Sequence, residues 1–312
     1  MIDDSRKIED FRVLLVGLGN VGFLYDIRNA AGCLTHVKGL QQASLVYGIR
    51  LELVALEQSL EKRELFMQKF PDSCAYSKVE DLPEISYNLI ILACTTNQIS
   101  RMYYELQKKV KCSYYLFEKP LCNDLDSLHD LESRIRTDEE IRVGFPRRSL
   151  PSTQYLRELI RNRYAEHEWV VKVSIGGDFL NIGSHFLDLI YYILGEFELD
   201  DFTKFNTLVR FSGQGQRFSL EGHQFSHTNT ESTQIEFRGP VNVNYSKAGR
   251  LISFNTLRNS GEFALDTSYE IQNMIGFEAL DYSGWALKKG FSSLATIRDN
   301  PIWEMLKVLK EV

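Results

Sequence analysis

Short apolar runs alternate with amphipathic stretches over roughly the first 145 residues. Phe11–Val16 (FRVLLV), Leu51–Leu56 (LELVAL) and Asn88–Cys94 (NLIILAC) are nearly continuous apolar runs, and Tyr114–Phe117 leads into a fourth. Such runs suit strands covered on both faces of a parallel sheet. Between them, Ser59–Phe70 sets Leu60, Leu65, Phe66 and Phe70 among charges, and Leu125–Ile135 places Leu128, Leu131 and Ile135 at helical spacing. Strand–helix alternation of this kind predicts a doubly wound α/β sheet with right-handed crossovers.

After Ile141–Phe145 and one helical stretch, Thr153–Arg161, the pattern changes. Val170–Ile175 (VVKVSI), Lys204–Phe211, Gln234–Phe237, Val241–Tyr245 and Leu251–Thr256 alternate or run apolar, separated by Gly, Asn, Ser and Pro. They read as strands of a predominantly antiparallel open sheet, interrupted by one helix near Gly183–Leu194. The expected organisation is an α/β domain over residues 1–146 and an α+β domain over 147–312.

Composition narrows the function classes. A chain of 312 residues with 44% hydrophobic and 25% charged positions can bury two cores without disulfide or metal staples. Lys and Arg number 36 against 42 Asp and Glu, a net charge of −6, which argues against general nucleic-acid binding. The first ten residues, MIDDSRKIED, lack the apolar core of a secretory signal, and no run approaches the ~20 apolar residues of a membrane span. Five cysteines without a CxxC pair read as reduced thiols of a cytoplasmic protein. Glu221, His223 and His227 share strand-compatible spacing, but no third histidine or cysteine follows, so no metal is expected.

The first apolar run ends in Gly17-Leu18-Gly19-Asn20-Val21-Gly22, a GxGxxG turn. A dinucleotide needs Gly17 for the tight turn, Gly19 for close approach of backbone to pyrophosphate, and Gly22 for helix–strand packing. The helix that follows would aim its N–H groups at the phosphates. Glu57 ends the second run and is the candidate acceptor for the adenosine ribose hydroxyls. Its charge favours NAD over NADP, although Ser59, Lys62 and Arg63 stand nearby. Glu57 lies further from Gly22 than usual, so Phe23–Arg50 must hold an extra loop beside the first helix.

Three more segments complete a pattern: Ala93-Cys94-Thr95-Thr96-Asn97, Glu118-Lys119-Pro120, and Gly176-Gly177 through Asn181, His185 and Asp188. With the glycine turn, their order resembles the glucose–fructose oxidoreductase, inositol dehydrogenase and rhizopine-catabolism family (Gfo/Idh/MocA). The resemblance covers the chain to about Gly195. It implies a Rossmann domain followed by an α+β domain whose open sheet mediates a homo-oligomer, a dimer or tetramer. It also implies NAD(P)-dependent oxidation or reduction of a small carbohydrate-like molecule. Asn20, Val21, Thr95, Thr96, Asn97, Glu118 and Lys119 map to cofactor-binding positions. Lys119 and His185 map to the catalytic positions, and Asn181 and Asp188 to the substrate site. Spacings of four and three place Asn181, His185 and Asp188 on one helical face. An ammonium at Lys119 could stabilise a developing alkoxide, and an imidazole at His185 could take the hydroxyl proton.

One departure matters. The family pattern has an acid where this chain has Asn181. An amide binds a hydroxyl but cannot ionise, which leaves a second reading open: a weakly active or inactive dinucleotide-binding regulator of the same fold. Arg147 and Arg148 follow a turn at Gly144-Phe145-Pro146 and resemble a segment entering the substrate cleft; Arg148 is the candidate contact to an anionic substrate group. Thr35 and His36 lie in the long first crossover, a lower-ranked candidate segment that could reach the nicotinamide end of the cofactor.

Overall fold

The computed structural model describes residues 10–28, 33–149, 151–205, 208–226, 234–246, 253–256, 284–287 and 293–310. The expected strand positions Leu251 and Ile252 and the candidate ligand His227 lie outside them. The chain divides into two compact units. Residues 1–121, 129–144 and 273–297 form the first, and residues 122–128, 145–272 and 298–312 the second.

The first unit is built on β1 (Asp10–Val16), β2 (Arg50–Leu56), β3 (Cys74–Tyr76), β4 (Leu89–Leu92), β5 (Tyr114–Phe117) and β6 (Glu140–Val143). Their order across the sheet is β6-β5-β4-β1-β2-β3, all parallel. Phe11, Val13, Leu14 and Leu15 of β1 and all of β4 are fully buried, which is why both runs are apolar without alternation. β3, three residues long, is too short to be read from its sequence. A two-residue strand far along the chain, β14 (Ala295–Thr296), adds an antiparallel edge to β6.

The strand order reverses between β1 and β4, the point at which doubly wound sheets bind ligands beyond their carboxyl ends. A π-helical turn, Asn20–Leu24, follows β1 and runs into α1 (Tyr25–Arg28). α2 (His36–Tyr47) is a separate helix whose N-cap, Thr35, accepts the Lys38 N–H, so the long first crossover, expected to hold an extra loop beside one helix, holds a second helix over much of its length. α3 (Leu60–Lys69) starts at its cap Ser59. α4 (Thr96–Lys109) follows β4, and α5 (Leu125–Ser133) precedes β6.

In the second unit, β7 (Trp169–Gly176), β8 (Phe197–Phe205), β9 (Leu208–Gly215), β10 (Phe218–Ser226), β11 (Gln234–Arg238), β12 (Val241–Ser246) and β13 (Ser253–Thr256) form one sheet in the order β13-β12-β11-β7-β10-β9-β8. Every neighbouring pair is antiparallel except β7 with β10. Along β7 the side chains alternate: Trp169, Val171, Val173 and Ile175 are buried, while Val170 and Lys172 are exposed. The buried face packs with α6 (Pro151–Arg163), α7 (Ser184–Leu194) and α8 (Ile302–Lys310) in one core that includes Ile160, Phe186, Ile190 and Met305. On the other face Lys172 lies 3.9 Å from Glu221 and Arg238 2.7 Å from Glu236.

The expected single strand Lys204–Phe211 is two. β8 ends at Phe205, β9 begins at Leu208, and these two residues face each other in an antiparallel pair. Asn206, a residue type that favours turns, is the local signal that the apolar residues around it obscured. The fold is thus a mixed α/β architecture: a Rossmann-like, mostly parallel sheet and a second, mostly antiparallel one.

Candidate functional site

The glycine turn sits at the carboxyl end of β1 against the end of β4. Gly17 has φ +98°, and a Cβ there would lie 2.7 Å from the Ala93 carbonyl oxygen. A Cβ on Gly22 would stand 2.3 Å from the carbonyl oxygen of Gly17. Both positions therefore exclude side chains. At Gly19 a Cβ would meet nothing within 4 Å, so this backbone faces open space. Gly19 caps the π-helical turn in which Asn20 and Val21 are the first residues. Helix geometry leaves the first N–H groups of such a turn without an intrahelical partner.

Glu57 closes the other side of the turn. Its Oε2 accepts the Leu18 N–H at 2.8 Å, and its Oε1 accepts the Ser59 N–H at 2.9 Å. Each carboxylate oxygen keeps a further lone-pair site for a hydroxyl donor. The neighbouring cations are drawn inward. Arg63 donates to the carbonyls of Glu57 and Gln58 at 2.7 Å, and Lys62 Nζ lies 3.7 Å from Glu57 Oε2. Beside Glu57 opens a cavity of about 320 Å³, lined by Gly17, Glu57, Ser77, Lys78, Cys94 and Arg101 among others. Burial pushes the Cys94 thiol up to about 11, which keeps it a neutral wall of the cavity. An open glycine backbone, a fixed carboxylate and an adjoining cavity together fit a dinucleotide.

The loop after β4 lies against the turn: Ala93 N–H donates to Val16 at 2.8 Å. Thr95 is the N-cap of α4, and Thr95 and Asn97 are exposed while Thr96 is half-buried. Glu118 and Lys119 follow β5, both half-buried, and the Lys119–Pro120 peptide is cis. Glu118 Oε1 lies 2.7 Å from Nε2 of His36, whose side chain is fully buried. Asp26 in α1 accepts the Leu34 N–H and the Thr35 hydroxyl. α1, the start of α2 and the Glu118–Lys119 segment are thereby tied together. Of the two crossover residues, Thr35 is tied to Asp26, and Nε2 of the His36 ring is paired with Glu118, a long-range pairing that no local signal carries.

In the second unit, Asp178 caps a π-helical turn, Phe179–Gly183, by accepting the Asn181 N–H at 2.6 Å. α7 begins only after that turn. A π turn advances the chain differently from an α turn, so the expected common face for Asn181, His185 and Asp188 does not form. Asn181 is exposed, His185 is half-buried with its ring 6.0 Å from that of Phe145, and Asp188 is completely buried.

Asp188 and Arg148 meet each other. Arg148 is 1% exposed; its Nε and Nη2 contact the Asp188 carboxylate, Nη2 at 2.6 Å. Nη1 reaches Asp299 Oδ2 at 3.3 Å, and Nη2 also donates to the Asp299 carbonyl at 2.8 Å. Burial pushes the Asp188 carboxyl up to about 6, against the pull of the Arg148 guanidinium. The neighbouring Arg147 is also buried, yet its guanidinium forms no ion pair or hydrogen bond among the described residues. Among these residues no group of three His, Cys, Asp or Glu side chains could hold a metal ion, and no helix is long and apolar enough to cross a membrane.

No protein-family model and no curated protein matches the sequence. Solved structures match over nearly its whole length. The dehydrogenase MviM from Clostridium difficile is 16% identical with a TM-score of 0.70, covering 97% of this chain and 99% of its own. Levoglucosan dehydrogenase, in complex with NADH and levoglucosan, is 12% identical with a TM-score of 0.75, covering 97% of both chains. A super-repressor mutant of Gal80p from Saccharomyces cerevisiae is 11% identical with a TM-score of 0.74, covering 97% of this chain and 95% of its own. These likenesses establish a shared fold, the one that the resemblance to Gfo/Idh/MocA oxidoreductases implies.

Proposed function

We propose that this chain is an NAD-dependent oxidoreductase that transfers a hydride to or from a carbohydrate-like substrate, at a hydroxyl or ketone carbon of a sugar, nucleotide sugar or cyclitol. The observation that carries the reading is the carboxylate of Glu57 fixed on the Leu18 N–H of the glycine turn. A negative charge there accepts ribose hydroxyls and repels a 2′-phosphate. Lys62 and Arg63 are turned onto Glu57 and its carbonyls, which weakens the case for NADP. The NADH and levoglucosan bound to one structural neighbour support the same class of cofactor and substrate.

When bound, the nicotinamide supplies the hydride chemistry. The protein positions and handles the proton. Asn20, Val21, Thr95, Thr96, Asn97 and Glu118 hold the dinucleotide with Gly17, Gly19 and Glu57. Lys119 donates a hydrogen bond to the reacting oxygen and stabilises negative charge as it develops. In the oxidising direction an imidazole nitrogen of His185 takes the hydroxyl proton. Asn181, exposed on its turn, binds a substrate hydroxyl. Arg148 and Asp188 act as positioning residues that fix α7 and with it His185. Assembly as a homo-oligomer belongs to the same reading.

The test is direct. The purified chain is titrated with NADH and NADPH, then incubated with NAD and a panel of sugars, cyclitols and nucleotide sugars while reduced cofactor is followed by absorbance. Tighter binding of NADH and reduction of NAD by at least one compound are expected. Failure to bind either nucleotide ends the reading. Binding without turnover across the panel favours the second reading, a regulator without chemistry, for which Asn181 in place of an acid and the fold shared with the repressor Gal80p speak.

A further inference from the structure

The end of α7 away from His185 borders another cavity of the second unit, which the proposed reaction does not use. It measures about 290 Å³ and lies where α6 and α7 end and β9 turns into β10. Ile193, in its wall, is two turns of α7 beyond His185, about 12 Å along a helix. The volume is at the lower end of the roughly 300–1,000 Å³ of small-molecule sites.

The floor is apolar and aromatic. Ile160, Trp169, Ile193 and Phe218 are buried, and the half-buried Tyr164 stands edge-on to Trp169, ring centroids 6.4 Å apart. Two of the rings are pinned. A Cβ on Gly239 would lie 2.6 Å from the Trp169 ring, and a Cβ on Gly215 2.1 Å from that of Phe218, so both glycines yield their space to aromatic side chains. A floor already ordered adds little to the entropy cost of binding.

The mouth carries the charge. Arg217 donates to the Ala165 carbonyl at 3.0 Å and to the Glu166 carboxylate at 2.5 Å, which closes one wall and engages the acid that lines the cavity. Arg161, on the same lip, makes no hydrogen bond or ion pair among the described residues. Asp299 attracts it from a distance but holds Arg148 at 3.3 Å. Arg157, one turn back on α6 and 4.1 Å from the Tyr192 ring centroid, repels it. Surrounding protein, and then that like charge, hold the Arg161 guanidinium below its ordinary pKa. An anion beside Arg161 would relieve the repulsion. A guanidinium fork over aromatic side chains matches an arene that carries a carboxylate: the ring rests on the floor and the two oxygens face the fork. A free sugar would instead bring its hydroxyls to a mainly apolar surface.

We propose that this cavity is a second ligand site, for a small aromatic carboxylate. The inference is independent of the oxidoreductase reading. Indole-3-acetate, indole-3-ethanol and tryptamine share one ring system and differ in charge. Each is titrated calorimetrically into the full chain, with and without saturating NADH. The acid is expected to bind roughly tenfold or more tightly than the alcohol and the amine, and equally in both conditions. Arg161→Gln should bring the acid down to the level of the alcohol. Ala165→Trp, which sets a large ring at the mouth, should weaken the acid as well. Both positions are exposed, so neither substitution enters the core, and circular dichroism confirms folding. Equal binding of the three compounds, binding of none, displacement of the acid by NADH, or acid binding indifferent to either substitution overturns the proposal.

Discussion

Glu57 and Leu18 are 39 positions apart in sequence, and the carboxylate of the first accepts the backbone N–H of the second at 2.8 Å. The contact welds the end of β2 to the glycine turn after β1, and in the proposed reading the Glu57 carboxylate is the acceptor for the adenosine ribose. Glu57→Gln keeps the shape and removes the charge. Loss of charged hydrogen bonds worth roughly 1.5–3 kcal/mol should weaken NADH by about tenfold or more and narrow the gap to NADPH. Fluorescence titration with both nucleotides measures it. An unchanged preference for NADH would remove Glu57 as the ribose acceptor.

The three glycines separate folding from binding. A methyl at Gly22 must displace the Gly17 carbonyl, 2.3 Å away, whereas a methyl at Gly19 meets nothing. Gly22→Ala should therefore cost on the order of 1–3 kcal/mol of stability or more by overpacking. Gly19→Ala should leave the melting temperature nearly untouched and still lower dinucleotide affinity, because the methyl occupies the approach of the pyrophosphate. If Gly19→Ala binds NADH like the parent, the pyrophosphate does not lie over that residue.

Lys119 follows Glu118, which is held by the buried ring of His36. If Lys119 stabilises the developing alkoxide, Lys119→Ala should abolish turnover, a loss of roughly 100-fold or more, while NADH affinity stays nearly intact. The comparison needs one substrate from the panel and a nucleotide titration. Undiminished turnover in a folded variant takes Lys119 out of the mechanism.

What could be read from the sequence was whatever is local. The doubly wound sheet was legible because β1, β2 and β4 are buried on both faces and so lack alternation, and β7 was legible because one of its faces is polar. The glycine turn follows directly from its strand. The hairpin between Phe205 and Leu208 was not legible, since apolar residues flank it on both sides. Nor was the common face assumed for Asn181, His185 and Asp188: spacings of four and three imply one face only in an α-helix, and Asn181 lies in a π-helical turn before α7. The pairings His36–Glu118 and Arg148–Asp188 join positions 82 and 40 residues apart, and nothing near either residue announces its partner. The last two of these change the site most, because they decide which polar side chains are spent and which remain to bind something.

Arg148 and Asp188 illustrate the energetic side of that distinction. Removing one member of a buried, hydrogen-bonded ion pair leaves the other uncompensated, at roughly 3–5 kcal/mol, whereas replacing both by apolar residues is often close to neutral. Asp188→Asn should accordingly lower the urea midpoint strongly. Arg148→Met combined with Asp188→Leu should recover most of the loss, less whatever Asp299 contributed from its half-exposed position. A double variant as unstable as the sum of the single ones would mean that the two charges act independently.

The thiols provide a check on the cavity beside Glu57. Burial raises Cys33 and Cys94 to about 11 and Cys112 to about 12, whereas Cys74 is exposed. A raised pKa keeps the neutral form at ordinary pH: with a value near 11, only about one thiol in a thousand is thiolate at pH 8, against about a quarter for an unperturbed cysteine. Iodoacetamide at pH 8 should therefore modify Cys74 first and leave the other three nearly untouched, with Cys94 gaining about tenfold in rate for each pH unit up to about 10. Cys94 shares the cavity wall with Gly17 and Glu57, so saturating NADH should protect it at the higher pH while Cys74 labels as before. Peptide mass spectrometry resolves the sites. Rapid labelling of Cys94 at pH 8 contradicts its burial, and labelling indifferent to NADH means that the nucleotide does not enter this cavity.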